Sequence, residues 1–176
     1  MRYAFLILLV SLASCAEGAK APKELDALER QAAIVDAQRY LGSDAKVLAV
    51  CGESKGSSWY LEKGHKAFFD DGIDDGLIVF AARSNGKPEI LTRDVTREML
   101  VQSEDGGIIT RLNAREDKGG LGIWLIQYPS TGVTASHNLA VDENGKLQDI
   151  WTQNKPAVAM LPPRASLFIS KCESMI

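Results

Sequence analysis

Cys51-Gly52-Glu53-Ser54-Lys55-Gly56-Ser57-Ser58-Trp59-Tyr60 is the stretch on which the reading of this chain turns. Gly52 to Gly56 match G-x-S-x-G, the nucleophile elbow in which a serine stands on a sharp turn between a strand and a helix. A strand before the motif fits, since residues 46–51 are mostly apolar. Residues 57–62, however, form another strand-like run with no helical stripe. The reading preferred here is a glycine-bracketed hairpin or bulge between two strands, with Cys51 as its important member. The alternative is a small serine hydrolase using Ser54 with His65 or His137, the two histidines of the chain.

Downstream of this stretch the pattern is that of short strands. Runs at 76–82, 89–92, 95–102, 107–113, 121–128, 132–141, 146–153 and 166–172 are separated by turn signals. Asn85-Gly86 and Asn144-Gly145 are the dipeptides of tight type I′ hairpins. Short turns make successive strands antiparallel neighbours, so the fold class is mainly β, an antiparallel up-and-down meander closing into a barrel or strongly coiled sheet. Residues 77–82 and 121–126, apolar on both faces, are expected at its centre. Residues 132–141 alternate, placing Val133, Ala135, His137, Leu139 and Val141 on one face. A histidine on that apolar face is a structural hydrogen-bonding residue or lines a pocket within the sheet, which makes His137 the ligand-pocket candidate.

Residues 63–75 read as a long loop containing Asp70-Asp71-Gly72-Ile73-Asp74-Asp75. Aspartate and glycine dominate turns for conformational reasons, and a solvated double turn is the preferred reading. A calcium site on Asp70, Asp71, Asp74 and Asp75 is the alternative, although the spacing does not meet the EF-hand pattern. Two scattered histidines do not supply a zinc ligand set, and no cofactor is expected.

Upstream, residues 22–42 read as a helix or spacer, with Pro22 in the first turn and Gly42 as the stop. Leu25, Leu28, Ala32 and Val35 form its apolar stripe, widened by Ile34, Ala37 and Leu41. Residues 1–21 are a targeting segment: Arg2, then an unbroken apolar run from Ala4 to Val10, then small residues. Its end, Leu12-Ala13-Ser14-Cys15, resembles the lipobox of bacterial lipoproteins. The resemblance implies that Cys15 becomes the acylated N-terminus, anchored in a bilayer and facing the periplasm. Ala16 in the next position implies outer-membrane sorting. Ordinary cleavage after Ala16 or Ala21, giving a soluble periplasmic or secreted protein, is the alternative. Either way Cys15 leaves the thiol pool, and Cys51 and Cys172 remain to form one disulfide in an oxidising compartment.

Residues 43–176 are thus one β domain. Lys and Arg total 20 against 23 Asp and Glu, a net charge of −3 that becomes about −4 once Arg2 is removed. With no basic run, a nucleic-acid partner is not expected. The run from Cys51 to Tyr60, the later Asp-Asp-Gly-Ile-Asp-Asp-Gly and the closing Ser-Leu-Phe-Ile-Ser-Lys-Cys resemble a set of short secreted bacterial β-proteins without assigned function. A looser architectural likeness is to the periplasmic lysozyme inhibitors, small disulfide-closed β-barrels that can be lipidated. Together these features favour a non-enzymatic binding or accessory module of the cell envelope, recognising an envelope protein or a small ligand.

Overall fold

The computed structural model describes residues 22–62, 65–93, 98–112, 121–157 and 162–175. Residues 1–21, expected to be a targeting segment with Cys15 as its lipidation site, lie outside them, as do the side chains of residues 61, 62 and 65–68, including that of His65. Helix α1 (Ala27–Leu41) precedes the strands β1 (Lys46–Glu62), β2 (His65–Ile73), β3 (Leu77–Ala82), β4 (Pro88–Arg93) and β5 (Met99–Val101). Then follow β6 (Ile108–Leu112), β7 (Gly122–Tyr128), β8 (Val133–Val141), β9 (Leu147–Lys155) and β10 (Arg164–Ser174). All belong to one antiparallel sheet in the order β5-β4-β3-β1-β10-β9-β8-β7-β6, with β2 pairing β1 beside this path.

The sheet is a strongly curled half-barrel. Phe80 of β3 packs on Trp124 of β7 and His137 of β8, with ring centroids 5.3 and 5.4 Å apart, although β3 pairs with neither strand. Only a sheet rolled on itself brings those inner faces together. The two outermost strands of the order, β5 and β6, are consecutive in the chain. The turn between them is folded back by Gly107 N–H donating to the Gln102 carbonyl at 2.8 Å. Glu89 of β4, fully buried, fastens this turn by accepting from Ser103 Oγ at 2.6 Å while also taking Arg83 Nε at 3.1 Å. Strands β4 and β6 come into contact there, and among the described residues no ladder joins them.

The predicted strands 46–51 and 57–62 are one continuous strand. Between Cys51 and Ser54 the register against β10 slips, because Cys51 faces Cys172 while Ser54 faces Ser170. Two residues, Gly52 and Glu53, therefore oppose one: a β-bulge, which bends a strand and increases its twist. The bend lets β1 pair with β3 through its first half and with β2 through its second, while β10 runs along its other side throughout. Cys51 and Cys172, directly opposed, form the disulfide.

Several expectations need correction. The long loop at 63–75 is largely β2, because residues 65–73 extend β1 into a hairpin arm. Strand β7 is not apolar on both sides in its surroundings: it lies next to the last strand, and Ile123 and Leu125 are exposed. The hairpins at Asn85-Gly86 and Asn144-Gly145 are not type I′, which needs two positive φ values, since only the glycines are positive, at 78° and 77°. Gly86 N–H donates to Arg83 O and Gly145 N–H to Asp142 O, giving three-residue loops in which a left-handed glycine follows the turn.

Helix α1 starts five residues later than expected. Asp26 caps it, accepting from Glu29 N at 2.8 Å, and Lys23 N–H instead donates to Glu53 Oε1 on the bulge at 2.7 Å. Its docking face is also different: Ala33, Ala37 and Leu41 are buried, whereas Leu28 is 84% and Val35 54% exposed. Small side chains let the helix lie close against Val47, Val50, Val79 and Leu91 on the convex side of the sheet. The aromatic core fills the concave side.

Candidate functional site

One lateral row of inward-facing residues crosses five strands. Arg111, Trp124, His137, Trp151 and Phe168 are successive register partners on β6, β7, β8, β9 and β10. The rings touch along the row: His137 stacks on Trp151 at 5.1 Å with 20° between planes, Trp151 packs on Phe168 at 4.4 Å, and Arg111 lies over Trp124 at 5.2 Å. The row ends at Gly56 of β1, opposite Phe168. A Cβ on Gly56 would stand 1.9 Å from the Leu167 carbonyl oxygen, so glycine is needed there for the backbones to approach. The second glycine of the G-x-S-x-G match thus has a packing role.

Ser54 is 1% exposed and its hydroxyl is fully engaged. It shares a hydrogen with Ser170 Oγ at 2.7 Å and accepts from Trp151 Nε1 at 3.2 Å. Neither partner is a base: an indole N–H only donates, and a serine hydroxyl does not withdraw a proton at neutral pH. Ser54 and His137 line the same cavity, yet Trp151 is the residue that touches both, and no hydrogen bond joins them. Ser54 lies within a strand, after a bulge, with an antiparallel strand to follow, which is not the context of an elbow. His65 occupies the first position of β2, paired with Glu62 at the far end of the β1–β2 arm.

His137 is 3% exposed, and its Nδ1 is 2.6 Å from Asp149 Oδ2, a carboxylate buried completely on the neighbouring strand. The sequence reading located His137 on the inner face but missed Asp149. Strand parity carries that information, since Leu147, Asp149 and Trp151 alternate onto one face.

Beside this row the curled sheet leaves a cavity of about 160 Å3. Its apolar wall includes Ile73, Leu77, Ile78, Ile126 and Ala135, and its polar groups come from Thr92, Arg93, Gln102, Tyr128, His137 and Gln153. Thr92, Gln102 and Tyr128 form a chain: Gln102 Nε2 donates to Thr92 Oγ1 at 2.6 Å, and the Tyr128 hydroxyl donates to Gln102 Oε1. Burial, reinforced by Asp105, pushes the Tyr128 phenol up to about 12, so at neutral pH it is an uncharged donor. Arg93 differs from the rest. Its Nε is buried without a hydrogen-bond partner, and among the described residues no ion pair is formed by its guanidinium, which borders a second hollow with Glu24, Glu29, Glu53 and Asp75. Sequence reasoning missed it, because an arginine at a strand end ordinarily reads as solvated.

The acidic cluster is divided by β2 and its following turn. Asp71 turns toward Arg164 and Ser58, hydrogen-bonding both, and Arg164 in turn donates to Ser58 and Ser166 at 3.1 and 2.9 Å. Asp74 pairs with Lys55, Asp70 is exposed, and Asp75 takes the positive φ of the turn, 53°. Among the described residues, no group of three or more His, Cys, Asp or Glu side chains is placed to hold a metal ion. A larger hollow of about 360 Å3 lies between residues 24–25, the β8–β9 hairpin and the end of β10, and Glu24 spans part of it to reach Lys146 at 2.6 Å. Glu24 also meets Lys171, Glu173 pairs with Arg30 of the helix, and Asp142 accepts from the Asn144 and Lys146 backbone.

The chain matches no family model, and no curated protein or solved structure shows significant similarity to it.

Proposed function

We propose that this protein is a non-enzymatic binding module of the bacterial cell envelope, which takes a small ligand into the concavity of its curled sheet. The observation that carries the proposal is the 160 Å3 cavity, apolar over most of its wall with a few convergent polar groups. Binding sites for small molecules have this make-up. The rigid surroundings suit the same role, since the aromatic row, the disulfide and the buried His137–Asp149 pair hold the wall in place. Ser54 lacks a base, which favours binding over acyl transfer.

The envelope location rests on the targeting segment, the Leu12-Ala13-Ser14-Cys15 lipobox and a disulfide suited to an oxidising compartment. In this reading acylated Cys15 anchors the chain in the outer membrane facing the periplasm, and residues 22–26 lead from the anchor to α1. Native mass spectrometry of protein released gently from envelope fractions tests both parts. The expected result is an acylated Cys15 and a small molecule carried by the native protein but not by an Ala135→Leu variant, whose longer side chain occupies the cavity. A protein that carries nothing, but turns over an ester or amide and loses that activity as Ser54→Ala, would overturn the binding reading. An unmodified Cys15 would overturn the anchor.

A further inference from the structure

If the cavity is the binding site proposed above, the buried histidine on its wall sets the chemistry of what enters. We infer that the ligand is a small neutral molecule, a single ring or short alkyl chain bearing a hydroxyl or N–H group that donates a hydrogen bond to His137 Nε2. The two nitrogens of an imidazole ring point to nearly opposite sides. Nδ1 aims at Asp149, which lies on the row of Leu139. Nε2 therefore aims the other way along β8, toward the row of Ala135, whose register partners are Ile126 and Gln153. His137, Ala135, Ile126 and Gln153 all line the cavity, so Nε2 opens into it. It makes no hydrogen bond among the described residues, and unlike Asp149 Oδ1 and Trp124 Nε1 it is not sealed off without a partner.

The tautomer fixes the polarity of that contact. Imidazole is a stronger base than a carboxylate, so the proton between the two rests on Nδ1, and Asp149 Oδ2 accepts the hydrogen bond at 2.6 Å. Nε2 of the neutral ring then carries a lone pair and accepts. A carboxylate in the cavity would bring an acceptor to an acceptor, with the charge of Asp149 behind the ring. Arg93 borders the hollow that holds Glu24, Glu29, Glu53 and Asp75, so it is no free cation for such a ligand. The other polar groups add little: Gln102, Thr92 and Tyr128 bond one another in a chain, and Ser54 is held by Ser170 and Trp151. A cavity of about 150 Å3 accommodates one benzene-sized body. At about 160 Å3 this one suits a single ring or a short alkyl chain and excludes a lipid tail of full length.

Isothermal titration of the mature protein with three probes of one size, phenol, toluene and benzoate, tests this. In a purely apolar cavity phenol binds more weakly than toluene, because its hydroxyl gives up water without a new partner. With Nε2 as acceptor, phenol is expected to bind at least as tightly as toluene and more tightly than benzoate. The double variant His137→Phe with Asp149→Leu removes both halves of the pair, so no charge is left buried alone. It should weaken phenol at least about tenfold relative to toluene, the scale of a buried hydroxyl left without an acceptor. Nitrogen-15 spectra of the wild type need no variant: Nδ1 of His137 should carry the proton, and the Nε2 resonance should move toward that of a protonated nitrogen with phenol and not with toluene. Tighter binding of toluene than of phenol to the wild type would overturn the donor inference and leave the cavity reading intact. Tightest binding of benzoate would overturn the neutral class. A proton on Nε2, or an unchanged phenol-to-toluene ratio in the double variant, would overturn the role of His137. Binding of none of the three would overturn the cavity reading as well.

Discussion

The disulfide offers the sharpest stability prediction. Cys51 and Cys172 lie 121 residues apart, so the bridge closes nearly the whole β domain into one loop. Replacing both by alanine avoids leaving a free thiol. In the loop-entropy account, closing a loop of this length removes about 5 kcal/mol of chain entropy from the unfolded state. That is comparable with the entire stability of many domains, about 5–15 kcal/mol. The folded side loses less, because β1 and β10 remain paired on both sides of the bulge. For a chain of this size 1 kcal/mol corresponds to about 2–4 °C, so the double variant should melt about 10–20 °C lower. Thermal unfolding followed by circular dichroism, for oxidised, reduced and double-alanine protein, measures it. The reduced and alanine forms should agree, with an unchanged folded-state spectrum. A shift below about 3 °C would refute the reasoning and show that the pairing of β1 with β10 already restricts the unfolded chain.

Three further outcomes follow from the packing and the titratable groups. Gly56→Ala places a methyl group into the Leu167 carbonyl and the Phe168 backbone, and should cost about 1–3 kcal/mol in urea unfolding. Ala37→Leu should destabilise by a similar amount by lifting α1 off the sheet, while Leu28→Lys, on the solvent side of the same helix, should stay within about 0.5 kcal/mol. Tyr128 has a raised folded-state pKa, about 12 against 10 for an ordinary tyrosine, so its contribution to stability is full below pH 10 and is lost as pH rises toward 12. An ultraviolet titration of the phenolate should show one tyrosine ionising about two units late, and Tyr128→Phe should remove that step.

The strand pattern and the disulfide were legible in the sequence because both rest on local signals, alternation and cysteine arithmetic. Even the choice between elbow and bulge at Gly52–Gly56 followed from the absence of a helical stripe after it. The helix face was not legible. Leu28 and Val35 look like a docking stripe, yet close approach to a curved sheet selects the alanines Ala33 and Ala37 instead. Strand β2 was hidden because its Asp70-Asp71-Gly72 carries turn chemistry, overridden by pairing with β1 and by Arg164 meeting Asp71. The candidate site was half legible: His137 came from parity, but Asp149, Gln102 and Arg93 converge only once the sheet curls, which no local pattern encodes.

The concavity beside His137 is the proposed small-ligand site, and the tryptophan indoles report on it directly. Trp151 lines the cavity and donates to Ser54, whereas Trp59 is not part of the lining. In proton–nitrogen correlation spectra titrated with benzamide and with benzoate, single-ring probes matched to a cavity of about 160 Å3, the Trp151 indole signal should move along a saturable curve with at least one of them while that of Trp59 stays in place. A Trp151 signal that moves with neither probe, or indole signals that all drift together without saturation, would contradict the account.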